Sequence, residues 1–387
     1  MVMRRIQIGD FVLGDEERGA LHRVIASNRI SEGPEVKAFE RGFSKYIGMK
    51  RGVMTNSGTS ALLTGLMAMR YAGVLDEGDR VLTTPLTYAA TSNAIVAAGL
   101  EPIYVDVDPD TFGMLPELAL EEAHRVSLIL PVHLMGYPVD IEAMHAACLP
   151  IFEDSAQAHG SLIHGKTCGS LGMMSAYSFY IAHNIQLGEA GMLLCNDHDL
   201  ADVATQVKAN GRACTCHSCT RSKGLCPKSD LPLGARFTHE YVGYNFKSNE
   251  LMGAIGNVQL TRLRSIIEKR NENVKYLNEG LSSVDGEVKL PIYDEDVSYL
   301  GYPLIALGNH SRSIICRFLE RAGIETRPLF GCLPFHQPAY SHLREVYDGK
   351  LPNAKYLGEK GFYIGCHQFL TDDDLDYVIR TIKEILR

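Results

Sequence analysis

With 387 residues, 45% of them hydrophobic and 22% charged, the chain has the composition of a folded protein of roughly two to three structural units. A formal charge of −8 without basic runs argues against nucleic acid as a partner, although backbone donors can still hold a phosphate on an acidic chain. No apolar stretch reaches the length of a membrane span, and MVMRRIQIGDFVLGDEERGA reads as neither a secretory signal nor a transit peptide, so the expected address is the cytoplasm.

Along the chain, GPEVKAFERGFSKYIG places Val36, Phe39, Phe43 and Ile47 at helical spacing. SGTSALLTGLMAMRYAG is a small-residue turn running into an apolar helix, and DRVLTTP is a short strand. TYAATSNAIVAAG is helical and EPIYVDVD is a strand. SLILPVHLMG and LPIFEDSAQ are strands that end in polar loops. This alternation predicts an α/β fold with a mostly parallel central sheet. From NELMGAIGNVQLTRLRSIIEKRNENVKYLNEGL onward the pattern changes to one long amphipathic helix, a strand in SYLGYPLIAL, the helix SRSIICRFLERAG and the closing helix DDDLDYVIRTIKEIL. The last begins acidic and ends basic, as the helix dipole favours. The organisation expected is a large domain over residues 1–250 and a smaller α+β domain over 251–387, bridged by the long helix.

In open parallel sheets, ligands sit beyond the carboxyl ends of the strands. TNSGTSAL sets Gly58, Thr59 and Ser60 at a helix N-terminus, which is either an anion site or an ordinary capped helix. EDSAQAHG puts Asp154 at the end of an apolar strand, where it either pairs with a protonated ring nitrogen or caps a helix. Tyr88, in a loop that opens a helix, either packs in the core or stacks on a flat ligand. Each segment alone leaves both readings open.

Taken in order, SGT, Tyr88, DSAQ, Ser178-Phe179 followed by a basic residue, and GYN at 243–245 resemble the fold type I pyridoxal-phosphate enzymes. More closely, the chain is similar to the DegT/StrS-type nucleotide-sugar aminotransferases, from SEGPEVKAFE to LPNAKYLGEKGFYIGCHQFLTDDDLDYVI. The resemblance implies that the large domain binds the cofactor. Gly58, Thr59 and Ser178 would hold its phosphate, Asp154 would keep its ring nitrogen protonated, Gln157 would sit near its hydroxyl, and Tyr88 would cover its face. Asn245 would reach the phosphate bound by a neighbouring subunit, which implies a homodimer with shared active sites.

In that family a lysine follows the Ser-Phe pair after three residues and forms the Schiff base. Here SFYIAHNIQLGEAGML, residues 178–193, carries His183 instead. Histidine cannot hold the cofactor covalently, but it is a general base near neutral pH. The substitution resembles a subgroup of nucleotide-sugar 3-dehydratases, in which pyridoxamine phosphate serves removal of the C3 hydroxyl from a nucleotide-linked 4-keto-6-deoxyhexose. Alternative readings are an aminotransferase with an atypical base, a cofactor-binding regulator, and an inactive or lysine-substituted enzyme. A further departure is Glu189-Ala190-Gly191, where the family has Glu-Gly-Gly.

Of ten cysteines, six are scattered singly and read as buried or half-buried reduced thiols. The other four crowd into GRACTCHSCTRSKGLCPKSDLPLGARF: Cys214, Cys216, Cys219 and Cys226, spaced C-x-C-x2-C-x6-C. Four thiolates suit a tetrahedral metal site and also an iron–sulfur cluster, and with the resemblance the order expected is cluster, then zinc, then free thiols. The iron–sulfur dehydrases among the resembled enzymes also carry cysteines beyond the active histidine, though one of theirs lies upstream where this chain has none. A cluster would call for an electron-transfer reductase as partner.

Overall fold

Two helices open the fold, α1 (Asp15–Ala26) and α2 (Pro34–Ile47), in a computed structural model that describes residues 5–216, 224–226, 228–235 and 237–386. In α2, Val36, Phe39, Phe43 and Ile47 are all buried, as their spacing predicts. Pro34 sits in the first turn, where its missing N–H costs nothing. Alternating strands and helices follow: β1 (Arg51–Thr55), α3 (Gly58–Tyr71), β2 (Arg80–Thr83), α4 (Ala90–Ala97), β3 (Glu101–Tyr104), α5 (Pro116–Glu122), β4 (Leu128–Ile129), α6 (Ile141–Met144) and β5 (Phe152–Asp154). A hairpin of β6 (Leu162–Ile163) and β7 (Lys166–Thr167) leads to β8 (Met174–Ser178), β9 (Gly191–Cys195) and α7 (His198–Val207).

β3, β2 and β4 pair in parallel, and so do β5 and β8. Parallel bridges Ile129–Ile151 and Val132–Asp154 join the two groups. The order is therefore β3-β2-β4-β5-β8-β9-β1, in which β9 alone runs against its neighbours. The sheet is mostly parallel, as expected. Both faces are covered, which is what a parallel sheet needs. Leu62, Leu66, Phe152 and Leu193 pack in one core. Phe39, Phe43, Tyr177, Phe179 and Met192 pack in another.

The long helix α8 (Glu250–Leu281) is a single element of 32 residues. Its first half gives Ile255 and Leu263 to the core beneath α2. Its second half gives Val274, Leu277 and Leu281 to a further core. The buried carboxylate of Glu250 accepts the N–H groups of Gly33, Glu35 and Val36, so the start of α8 caps the start of α2. Beyond it lie β10 (Val288–Lys289), β11 (Tyr302–Ala306), α9 (Arg312–Arg321), β12 (Arg327–Pro328), α10 (Leu333–His336), α11 (Pro352–Lys360), β13 (Gly361–Ile364) and α12 (Asp372–Leu386). Their strands form an antiparallel sheet, β10-β11-β13-β12. Its core also takes Ile6 and Ile8 from the start of the chain and Leu134, Met135 and Tyr137 from the loop after β4.

Cys168, Cys195, Cys332 and Cys366 are buried and Cys316 is half-buried, but Cys148 is exposed. It sits at φ 55°, ending a helical turn in the left-handed region, and that geometry turns it out of the core. Among the described residues no helix is long and apolar enough to cross a membrane.

Candidate active site

A cavity of about 410 Å³ opens between the carboxyl ends of the central strands and the C-terminal sheet. Gly58, Thr59, Tyr88, Asp154, Gln157, Ser178 and His183 all line it, although they come from separate stretches of chain. Each stretch is held by a buried element, and the strand ends bring the polar groups together.

One end of the cavity is the N-terminus of α3. Ser57 caps the helix, its Oγ accepting the Ser60 N–H at 3.1 Å. The N–H groups of Gly58 and Thr59, in the first turn, have no intrahelical acceptor and lie at the positive end of the helix dipole. Close packing explains the glycine. A Cβ on Gly58 would lie 2.6 Å from the Ser178 Cβ, so any side chain there would push the helix off Ser178. Gly191 is constrained in the same way, since its Cβ would lie 2.2 Å from the Ser57 carbonyl oxygen. Ala190, the departure noted in this turn, puts its methyl into the core of Leu187 and Met192, so the local geometry accommodates it. Ser57 thus does the capping, and the next two residues line the cavity.

Asp154 is 5% exposed. Its Oδ2 accepts the Thr91 hydroxyl at 2.7 Å, and its Oδ1 accepts the Ala156 N–H at 3.2 Å. It caps no helix. Burial pushes the carboxyl up from its ordinary range, against the opposing pull of those two hydrogen bonds. A cation bound in the cavity would offset that burial. Gln157 spends its Oε1 on the Met135 N–H, at 2.8 Å, which leaves the amide NH2 as its donor toward the cavity. Tyr88 is 64% exposed, so core packing does not account for it. Its ring meets that of Phe330 edge-on, with centroids 6.1 Å apart.

His183 is buried in the turn that follows β8. Its Nδ1 lies 2.7 Å from the Ser178 carbonyl oxygen. That oxygen can only accept, so Nδ1 carries the proton and Nε2 keeps its lone pair. Burial lowers the pKa of His183 to about 4; the Ser178 carbonyl works the other way, and Arg270 and Arg327 add to the lowering. The ring is therefore neutral near pH 7, with Nε2 as a base. No lysine is found among the described residues that line the cavity.

Several lining residues carry no signal that sequence reasoning uses. Thr91 sits in the predicted helix TYAATSNAIVAAG, but nothing local marks it as a partner for Asp154, or marks Arg327 on β12 as a cation for the cavity. Arg327 is the one lysine or arginine among the described lining residues, and both its Nε and Nη2 reach Glu325 Oε1, at 3.2 and 3.1 Å. His133, also at the wall, accepts the Val139 N–H at Nδ1 (3.0 Å) and donates from Nε2 to Glu153 (3.0 Å). Glu153 in turn accepts the N–H groups of Gly169 and Leu171, so this pair anchors the loop before β8. Asn245 is not among the lining residues; it is exposed, on the segment that bridges back to Ala209.

In the cysteine-rich segment, Cys214 and Cys226 are half-buried and Cys216 is exposed, while Cys219 lies outside the described residues. Among the described residues no group of three or more His, Cys, Asp or Glu side chains is placed to hold a metal. The described part of the loop therefore does not by itself make a cluster site.

The family model for the DegT/DnrJ/EryC1/StrS aminotransferase family matches residues 12–383. The chain belongs to that family. It is 30% identical to a dTDP-4-dehydro-2,6-dideoxy-D-glucose 3-dehydratase from Saccharopolyspora spinosa, over 97% of this chain and 85% of that one. It is also 30% identical to a GDP-perosamine synthase from Caulobacter vibrioides, over 99% and 98% of the two chains. Among solved structures, an E. coli GDP-4-keto-6-deoxy-D-mannose-3-dehydratase with bound hydrated PLP superposes with a TM-score of 0.86 at 25% identity, covering 100% of each chain. These similarities establish the fold type I architecture, and the named relatives include both dehydratases and a synthase.

Proposed function

We propose that this chain removes the C3 hydroxyl from a nucleotide-linked 4-keto-6-deoxyhexose, using pyridoxamine phosphate held without a covalent bond. One observation carries the reading. The base at the cavity is His183, with Nδ1 tied to Ser178 and Nε2 left to accept a proton, and no described lining residue is a lysine able to form a Schiff base. The named 3-dehydratase relatives, and the PLP in one of their structures, support it.

The cavity suits such a cofactor: the N-terminus of α3 packs too closely on Ser178 for a Cβ at Gly58, and the buried Asp154 lines the same cavity. Bound there, pyridoxamine phosphate supplies an amine that condenses with a ketone and a ring that withdraws electrons from the carbon beside it. The N–H groups of Gly58 and Thr59 and the Ser178 hydroxyl would hold its phosphate. Asp154, kept in place by Thr91, would hold the ring nitrogen protonated. Gln157 would donate its amide NH2 to the ring hydroxyl, and Tyr88 would cover the ring face. Nε2 of His183 would take the proton from the carbon next to the ring. The Ser178 carbonyl then steadies the imidazolium through Nδ1, so the proton is received without turning the ring. Arg327 is suited to an anionic group of the substrate. Asn245, exposed outside the cavity, fits a contact across a homodimer interface.

The Caulobacter relative favours a second reading, amination at C4 with histidine as the base. Mass analysis of the product formed from dTDP-, GDP- and CDP-linked 4-keto-6-deoxyhexoses, with pyridoxamine phosphate and an amino donor such as glutamate supplied, separates the two. A sugar that has lost its C3 oxygen is expected, and a 4-amino sugar that retains it overturns the proposal.

A further inference from the structure

The wall of the cavity includes a segment from the start of the chain. Ile8 is fully buried and lines it beside Ala182 and His183. Ile6 pairs with Ile324 in a parallel bridge: its N–H donates to the Gly323 carbonyl at 2.8 Å, and its carbonyl accepts the Glu325 N–H at 2.8 Å. The Ile8 N–H donates to Glu325 Oε2 at 3.1 Å. The other carboxylate oxygen of Glu325, Oε1, takes both contacts from Arg327. At its far end the segment touches the histidine turn. A Cβ on Gly9 would lie 2.9 Å from the Ala182 Cα and 3.4 Å from the Ala182 carbonyl oxygen. Ala182 immediately precedes His183.

We infer that residues 6–9 form a strap in which Glu325 and Gly9 act as positioning residues, setting Arg327 and His183 relative to one another across the cavity. Neither residue is catalytic. Glu325 divides its two oxygens between a backbone donor of the strap and the cavity's cation. Gly9 lets the strap lie against the backbone that carries the base. The two functional side chains come from different walls, β12 and the turn after β8, whose strands belong to separate sheets. The strap joins the two walls directly. A substrate anion that draws on Arg327 therefore pulls on the same carboxylate that holds the strap against the histidine turn.

The inference rests on the dehydratase reading for its kinetic readout but not for its structural one. Gly9→Ala must displace either the strap or the Ala182 backbone it touches. Hydrogen exchange in the cofactor-free protein is expected to quicken in residues 178–187, and kcat to fall about tenfold or more, with KM and pyridoxamine phosphate affinity unchanged. Glu325→Gln keeps the shape but offers only one oxygen to two sets of donors. Its KM for the nucleotide sugar is expected to rise about tenfold, alongside faster exchange over residues 6–9. Gly286→Ala is the control, since a Cβ there meets nothing within 4 Å. Parent-like exchange over 178–187 in Gly9→Ala overturns the strap whatever the reaction proves to be. A parent without dehydratase activity overturns the functional reading alone, and the exchange result then decides the strap by itself. Parent-like kcat in Gly9→Ala, or a Glu325→Gln variant that changes kcat and KM no more than Gly286→Ala does, overturns the coupling.

Discussion

The cavity and the cysteine-rich segment both gather reactive side chains, but they anchor them differently. Asp154 ends a buried strand, Ser178 ends another, and Gly58 opens a helix packed beneath the sheet. Their positions follow from the topology of the sheet, so polar residues far apart in sequence meet where the strands stop. Cys214, Cys216 and Cys226 lie outside any helix or strand, in a stretch whose two ends are joined by the Arg212–His239 bridge. Spacing within such a stretch does not by itself fix a geometry. A constellation read from the order of elements is therefore more informative about chemistry than one read from local spacing.

The largest effect that would break this contrast is at His183. His183→Asn keeps a polar group but loses a base, and kcat is expected to fall by about 10²–10⁴-fold. Pyridoxamine phosphate affinity, followed by absorbance titration, should hold, because other residues are proposed for the phosphate and ring contacts. His183→Lys is expected to form a borohydride-reducible bond with pyridoxal phosphate and to lose dehydration. A parent protein already fixed to the cofactor by borohydride would show that another residue carries the Schiff base.

The next effect is at Asp154. An amide in its place cannot hold a ring nitrogen protonated, and Asp154→Asn is expected to lower kcat by roughly 10²–10³-fold while the melting temperature stays near that of the parent. Thr91→Val, which removes the 2.7 Å hydrogen bond to Asp154, should lower kcat less. A near-parent kcat in Asp154→Asn would mean that Asp154 is held chiefly to fill space.

Much of the cavity is legible in local sequence pattern. The apolar spacing of α2, the polar ends of β5 and β8, and the histidine five residues after Ser178 all rest on it. Sequence carries no comparable signal for what long-range pairing decides. The Thr91–Asp154 bond spans 63 residues, and the Ile8–Glu325 bond spans 317. Arg327 reaches the cavity only because an antiparallel sheet folds back over it. Cys148, expected to be at least half-buried, is exposed because a left-handed turn, invisible in composition, carries it outward.

Acid should affect the body of the protein through its buried histidines. His183 and His367 are both held at about 4 in the fold, first of all by burial, against an ordinary value of 6.5. Between those values the unfolded chain binds protons that the folded chain does not. Stability is therefore full above about pH 6.5 and is lost as pH falls toward 4, by roughly 3 kcal/mol for each group. Denaturant unfolding at pH 7 and pH 4.5 checks this, and His367→Asn should flatten the dependence. The rate has the same sign: kcat/KM should hold at pH 6.5 and fall on the acid side, as His183 and the carboxyl of Asp154, which burial pushes up, take protons. A rate that already halves near pH 6.5 would mean that His183 is solvated rather than buried.

The smallest effect is expected in the cysteine segment, and that result sharpens the comparison most. Cys214→Ser with Cys216→Ser removes two of the thiols proposed as cluster ligands but touches no residue of the cavity lining. Sites without shared partners perturb one another by a few tenths of a kcal/mol, so pyridoxamine phosphate affinity should stay within about twofold of the parent. Iron and acid-labile sulfide in anaerobically prepared parent protein, absent from the double variant, would assign a cluster to the segment and leave cofactor binding as a separate function of the sheet. Stoichiometric zinc in place of iron would make the segment a structural knot and remove the need for a reductase partner. A double variant that loses pyridoxamine phosphate while keeping its fold would defeat the comparison itself. It would mean that the loop builds part of the cofactor site, in this chain or in a neighbouring copy, and that the sheet ends alone do not hold the cofactor.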